Sequence, residues 1–177
     1  MRMSVMAKVA RALACLLAML PVLFPAAAQA QGANYPFVYI TDAAGNVVQG
    51  PERTNVIPLW PVRSCFGWSV AVPGPDREVD LVEIQQLSGK TRFDTGPGIA
   101  INANSDTTTR HIRDVTRDGR LEGTWCVNDA DPPGLYKYMI HVDGKFRAEF
   151  TYCAVRFPAD KPIDLKTLAC KNSFESS

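Results

Sequence analysis

The chain has 177 residues, a length typical of one domain, with 19 basic and 18 acidic side chains. Hydrophobic residues make up 46% of the chain and charged residues 21%, which excludes a disordered or a collagen-like protein. The formal net charge of +1 lacks the basic excess of nucleic-acid-binding domains. We therefore expect no nucleic-acid partner.

Residues 1–30 have the order of a secretory signal peptide. Three basic residues accompany an apolar run over residues 12–24, and Ala-Gln-Ala at 28–30 forms a small-x-small cleavage site. The apolar run is too short to cross a bilayer permanently, so we expect no transmembrane span in the mature chain. Cleavage after Ala30 leaves 16 basic and 18 acidic residues, a net charge of −2. The sequence predicts a soluble bacterial protein that is periplasmic or secreted.

Beyond the predicted leader, apolar residues alternate with period two, which indicates strands rather than helices. In residues 64–72, Phe66, Trp68 and Val70 share one face and Cys65 shares the other with Ser69. In chain order, strands are predicted over residues 36–41, 55–59, 64–72, 78–87, 110–115, 121–127, 135–142 and 145–152. Turn residues at 42–45, 50–51, 73–75, 96–98 and 132–134 separate them.

Short strands with regular turn signals predict an all-β, antiparallel β-sandwich of about seven strands over residues 31–157. Residues 158–177 are predicted to form a C-terminal tail tethered by Cys170, with room for one turn of helix around residues 164–169.

The last two predicted strands form a hairpin whose register follows from their apolar faces. A two-residue Asp143-Gly144 turn would place Tyr138 opposite Glu149 and mix the faces. A three-residue loop over 142–144 pairs Tyr138 with Ala148, with Gly144 in the left-handed conformation. The sequence therefore predicts the three-residue loop.

Four cysteines remain after the predicted cleavage, at positions 65, 126, 153 and 170. An even number in an oxidising compartment predicts two disulfides with three open pairings, and no two lie close enough for a zinc motif. Cys65 and Cys126 each lie on the face opposite apolar neighbours, and Cys153 precedes the tail that carries Cys170. Our hypothesis is therefore Cys65–Cys126 and Cys153–Cys170.

The last third of the chain resembles the end of bacterial immunoglobulin-like sandwich domains. Asp131, Gly134 and Tyr136 are similar to a tyrosine corner, and residues 142–144 to the final hairpin of that fold. Residues 54–58 and 66–68 are also similar to a family of uncharacterised bacterial extracytoplasmic domains. Tyr138 stands where the antibody pattern has a core cysteine. The resemblance implies a fold, and it carries no active site to transfer.

Residues with reactive side chains give no recognisable catalytic constellation, so we name no catalytic residue and expect no cofactor. Ser69 lies in a partial nucleophile-elbow pattern, but within a strand instead of a strand-to-helix turn. Met139 and His141 share a strand face, which makes a weak copper site an alternative. With His111, His141 is one of two imidazoles in the chain.

Four residues are candidates to face a ligand: Trp60, Arg110, Arg113 and His141. The arginines suit anionic groups, although the interleaved charges of residues 106–120 favour a self-paired surface. Trp60 lies between two prolines and is predicted to be the exposed tryptophan, whereas Trp68 and Trp125 are predicted core residues.

The sequence favours a non-catalytic binding domain for an envelope protein or a surface ligand, acting through loops 73–75, 95–98 and 129–134. The alternatives are a small envelope protein that handles a metal or ligand and, less favoured, an envelope hydrolase. The sequence does not determine the oligomeric state.

Overall fold

The computed structural model of the protein describes residues 32–61, 63–156 and 163–170. They form ten strands without a helix: β1 (Tyr35–Thr41), β2 (Val47–Glu52), β3 (Val56–Leu59), β4 (Ser64–Ala71), β5 (Glu78–Gln86), β6 (Ile99–Ile101), β7 (Thr107–Val115), β8 (Arg120–Cys126), β9 (Gly134–Val142) and β10 (Lys145–Arg156). The predicted signal peptide lies outside these ranges and stays a prediction.

Two sheets pack face to face and enclose one hydrophobic core. The four-stranded sheet has the order β2-β1-β4-β8, and the six-stranded sheet has the order β3-β10-β9-β5-β7-β6. Neighbouring strands are antiparallel except for β3 and β10, which run parallel. The predicted all-β sandwich is therefore confirmed.

Aromatic side chains dominate the centre of the core. Phe66 of β4 lies edge-on to Tyr138 of β9 and Tyr152 of β10, with ring centroids 5.6 and 5.3 Å apart. Trp68 and both tyrosines are fully buried. Such edge-to-face pairs stabilise a core beyond the area they bury.

The predicted strands are all present, but two further strands, β2 and β6, were not predicted. The predicted break at Gly50-Pro51 is wrong, because both residues lie inside β2 and are joined by a cis peptide bond. Since β2 is an edge strand, the missing N–H of Pro51 does not interrupt a central ladder.

The β9–β10 hairpin has a different turn from the predicted one. Asp143 and Gly144 both have positive φ and form a two-residue turn, so the predicted three-residue loop is wrong. A bulge between Phe146 and Ala148 then restores the apolar register and pairs Tyr138 with Phe150 instead of Ala148. The bulge also leaves Phe146 58% exposed.

Both predicted disulfides are present. Cys65 and Cys126 lie directly opposite each other on β4 and β8, and Cys153 of β10 bonds to Cys170 in the tail. The predicted helical turn around residues 164–169 is a single hydrogen-bonded turn instead, closed by the Thr167 N–H on the Asp164 carbonyl. Leu165 is buried within the core, so the tail is packed as well as tethered.

Candidate functional site

A cavity of about 160 Å³ lies at the end of the sandwich where the Cys65–Cys126 disulfide joins β4 to β8. The segment after β5 and the segment after β8 border it. Aromatic rings and polar groups both line this end cavity, among them Phe66, Gln85, Phe93, Asp94, Trp125 and Asp131.

Gln85 is the buried polar residue of the end cavity. It is 6% exposed, and its Nε2 donates a hydrogen bond to the Tyr138 hydroxyl. Its Oε1 is buried and has no hydrogen-bond partner among the residues that the structure describes. Burial, followed by the charge of Glu83, raises the pKa of Tyr138 well above its usual value, so the hydroxyl stays protonated. A buried acceptor without a donor is costly, and such groups often mark where something binds.

Trp125 forms a fixed wall of the end cavity, because a buried carboxylate holds its indole. The Glu83 side chain, 1% exposed, accepts at Oε1 from the indole N–H groups of Trp125 and Trp68, at 2.7 and 2.9 Å. Its Oε2 accepts from Arg110 at 3.0 Å, and the Arg110 guanidinium lies 4.6 Å from the Trp125 ring centroid. Both oxygens of the Glu83 carboxylate thus accept hydrogen bonds from other side chains of the protein.

Asp131 joins the two segments that border the end cavity. Its carboxylate accepts from the Thr91 hydroxyl at 2.6 Å, and from the backbone N–H and the Nδ2 of Asn128 at 3.0 and 2.9 Å. Arg92 adds a second link through Asp129, at 2.9 Å. These bonds connect the two segments at the entrance of the end cavity.

Asp94 carries the free charge of this site. It is exposed, lines the end cavity, and receives no hydrogen bond or ion pair from the part of the chain that the structure describes. The neighbouring Arg92 forms its ion pair with Asp129 and not with Asp94. Within the described residues, the end cavity therefore combines an unpaired carboxylate at its entrance with the unpartnered acceptor of Gln85 in its interior.

The structure places the four predicted ligand-facing residues apart from one another. Trp60 is half-buried against the core, not fully exposed, with the Arg63 guanidinium 4.6 Å from its ring centroid. Arg110 adjoins the end cavity only through Trp125. Arg113 is exposed and pairs with Glu78 and Asp80 at 3.0 and 3.6 Å.

His141 and His111 lie in one row on the outer face of the six-stranded sheet. Val82 of β5 is the register partner of both, so the two imidazoles flank it on either side. Met139 shares the face with His141 two residues earlier, and the His141 ring lies 5.6 Å from that of Phe146. Among the described residues, no three His, Cys, Asp or Glu side chains are grouped to hold a metal ion.

The three predicted binding loops do not meet at one place. Residues 129–134 border the end cavity, and residues 95–98 follow Asp94 and pass along β7, where the His111 N–H donates to the Gly98 carbonyl at 2.8 Å. Residues 73–75 lie at the other end of β4, where the Val72 N–H bonds to the Gly119 carbonyl.

Gln85 and Glu83 were missed at the level of sequence, although β5 carries a signal for them. Both alternate in step with the core residues Val79 and Leu81, so all four side chains point to the inner face of the strand. Two polar residues at core positions of one strand indicate a buried polar network. Asp94 lies in a loop and has no such signal.

Within the described ranges, no helix has the length and apolar character to cross a membrane.

The resemblance noted in the sequence has its structural counterpart in the tyrosine corner, where the Tyr136 hydroxyl donates to the Pro132 carbonyl.

A solved structure and a family model are similar to this chain. A solved structure of an immunoglobulin-like protein from Pseudomonas aeruginosa is similar, with 11% identity and a TM-score of 0.39, covering 71% of this chain and 99% of that one. No curated protein matches the chain. Residues 35–155, more than half of the chain, match the PM0630 beta sandwich domain. The protein therefore belongs to the PM0630 beta sandwich domain family.

Proposed function

We propose that this protein is a non-catalytic binding domain that works outside the cytoplasm and binds its ligand in the end cavity. The observation that carries the proposal is Gln85, a buried residue of the cavity lining with an acceptor oxygen that no group in the described part of the chain satisfies. A ligand that donates a hydrogen bond there removes the cost of this unpaired group.

The surroundings of Gln85 support binding rather than a reaction. Glu83 and Asp131 each accept hydrogen bonds from three donor groups, which fixes the positions of the two carboxylates. Phe66, Phe93 and Trp125 form the apolar part of a lining that is otherwise largely polar, so the end cavity offers a ligand both ring contacts and hydrogen bonds.

An extracytoplasmic location is supported by two independent features. The first thirty residues have the pattern of a secretory signal peptide, and four cysteines form two disulfides, which persist in oxidising compartments. N-terminal sequencing of protein recovered from a bacterial envelope fraction tests this, with Gln31 as the expected first residue.

Native mass spectrometry of that recovered protein tests ligand binding. We expect a stoichiometric extra mass that disappears on denaturation and is lost in Gln85→Leu. The control Gln86→Leu makes the same change one residue further along β5, at an exposed position, and should keep the extra mass. Absence of any ligand mass, together with no thermal stabilisation by envelope extract, would contradict the proposal.

Metal handling is a second candidate, favoured by the row that places His111 and His141 on either side of Val82 with Met139 beside it. Imidazole and thioether ligands suit copper ions. Isothermal titration with copper and zinc is the test, and the His111→Asn and His141→Asn variants should each abolish any binding. Equal binding by both variants and the wild type would place the metal elsewhere.

A further inference from the structure

The hydrogen-bonding groups that line the end cavity indicate the chemistry of its ligand. Two of its lining groups are acceptors without a donor among the described residues: the Oε1 of Gln85 in the interior and the carboxylate of Asp94 at the entrance. Arg92, the cation of the lining, forms its ion pair with Asp129. These two acceptors favour a ligand that brings donors and a positive charge.

The aromatic walls favour a cation of the same kind. Phe66 and Phe93 line the end cavity together with Trp125, and ring faces attract ammonium groups. A primary ammonium has three donors and no acceptor, which suits a lining that contains an amide oxygen, a carboxylate and aromatic rings. A carboxylate or phosphate would meet unpaired acceptors instead.

The volume limits the rest of the ligand. An engineered protein cavity of about 150 Å³ holds one benzene ring, a molecule of six carbons. The end cavity, at about 160 Å³, therefore has room for an alkyl chain of comparable size ending in one nitrogen. A short alkylammonium has this shape, either as a free amine or as the side chain of lysine.

We propose that the end cavity binds a primary alkylammonium group, with Gln85 Oε1 and the Asp94 carboxylate as its acceptors and the rings of Phe66, Phe93 and Trp125 as its walls. This inference rests on the proposed function, since it names the ligand chemistry of the same cavity. Arg92 forms its ion pair with Asp129, and the Asp94 carboxylate supplies the charge that attracts the cation.

The test is isothermal titration of the full chain, expressed with its own leader and purified from the envelope, with pentylamine at concentrations up to millimolar. The neutral and anionic probes of similar size are 1-pentanol and pentanoate. We expect saturable binding of pentylamine and at least about tenfold weaker binding of both other probes, because only the ammonium makes charge-assisted hydrogen bonds.

Two arms distinguish the sources of the ammonium group. Preference for 1,5-diaminopentane over the amide of Nα-acetyl-lysine indicates a free amine, and the reverse preference indicates a lysine side chain. Either outcome supports an alkylammonium site.

Four variants test the assignment of acceptors. Gln85→Leu and Asp94→Asn should each weaken pentylamine binding about tenfold or more. Asp94 is exposed and without partners, so its variant tests the site even if Gln85→Leu fails to fold. Gln86→Leu and Glu149→Gln make matched changes at exposed positions outside the end cavity and should bind as the wild type does.

Three results would overturn the inference: pentanoate binding as tightly as pentylamine, amine binding that survives both cavity substitutions, or no amine binding by folded protein. None of these removes the proposed function, because a native ligand mass sensitive to Gln85→Leu would still establish binding in the end cavity by a ligand of other chemistry.

Discussion

Replacing Glu83 with leucine should destabilise the protein more than any surface substitution. The change keeps the side chain similar in size but removes the acceptor of three hydrogen bonds, from Trp68, Trp125 and Arg110. Leaving a buried charge without its partner costs about 3–5 kcal/mol, and each orphaned buried donor about 1–3 kcal/mol. These losses are not additive, so we expect the free energy of unfolding to fall by about 3–5 kcal/mol.

Urea unfolding at neutral pH, followed by tryptophan fluorescence and far-UV circular dichroism, measures this loss. With an m-value of about 2 kcal/mol per molar, a loss of about 4 kcal/mol lowers the midpoint by roughly 2 M. Glu83→Gln keeps one acceptor oxygen for the indoles, so its loss should be intermediate, at about 1–3 kcal/mol.

Arg113→Ala is the control, because it breaks ion pairs whose side chains are 60% or more exposed and should cost no more than about 1 kcal/mol. Adding Arg110→Met to Glu83→Leu should recover stability, since it removes the uncompensated charge. If Glu83→Leu proved no more harmful than Arg113→Ala, the buried network would not have the structural role assigned to it.

Three further predictions concern the core, its tyrosines and its disulfides. Gly67→Ala should lower the free energy of unfolding in urea by about 1–3 kcal/mol, because the new Cβ would lie 2.2 Å from the Gly123 carbonyl oxygen. In the control Gly96→Ala the new Cβ has space, so the free energy of unfolding should not change. Burial raises the pKa of Tyr136, Tyr138 and Tyr152, so they stay protonated in the native state where the unfolded chain ionises, and the free energy of unfolding should fall as pH rises above about 10. In a variant with phenylalanine at the other two tyrosines, Tyr35 and Tyr39, absorbance at 295 nm should show ionisation only with unfolding. Replacing both cysteines of a disulfide with alanine should lower the free energy of unfolding by about 4 kcal/mol for Cys65–Cys126, which spans 61 residues, and by about 3 kcal/mol for Cys153–Cys170, which spans 17. Thermal unfolding measures both losses, and the reverse order would contradict the loop-entropy argument.

The alternation of apolar residues was enough to predict most strands and both disulfides. Period-two patterns place side chains on a known face of a strand, so Cys65 and Cys126 could be assigned to one sheet surface before any coordinates. The same patterns failed for β2 and β6, which are short edge strands with little buried face. Without a buried face, a strand has no alternation to detect.

The register of the β9–β10 hairpin could be determined only from the structure. The predicted loop assumed an uninterrupted ladder, and under that assumption a two-residue turn mixes the two faces. The bulge at residues 146–148 removes the conflict, because one extra residue shifts every later side chain to the other face. A pattern of apolar residues does not reveal whether the turn or the strand absorbs the offset.

Local patterns and residue counts were enough to predict the fold class, to suggest one of the three cysteine pairings and to raise the expectation of secretion. The candidate site depends on the packing of the chain. Gln85 and Asp94 lie on different segments and line the same cavity only because these segments come together at one end of the sandwich. The missing partner of Gln85 is likewise a property of the packed interior, since in an unfolded chain water would bond to that oxygen.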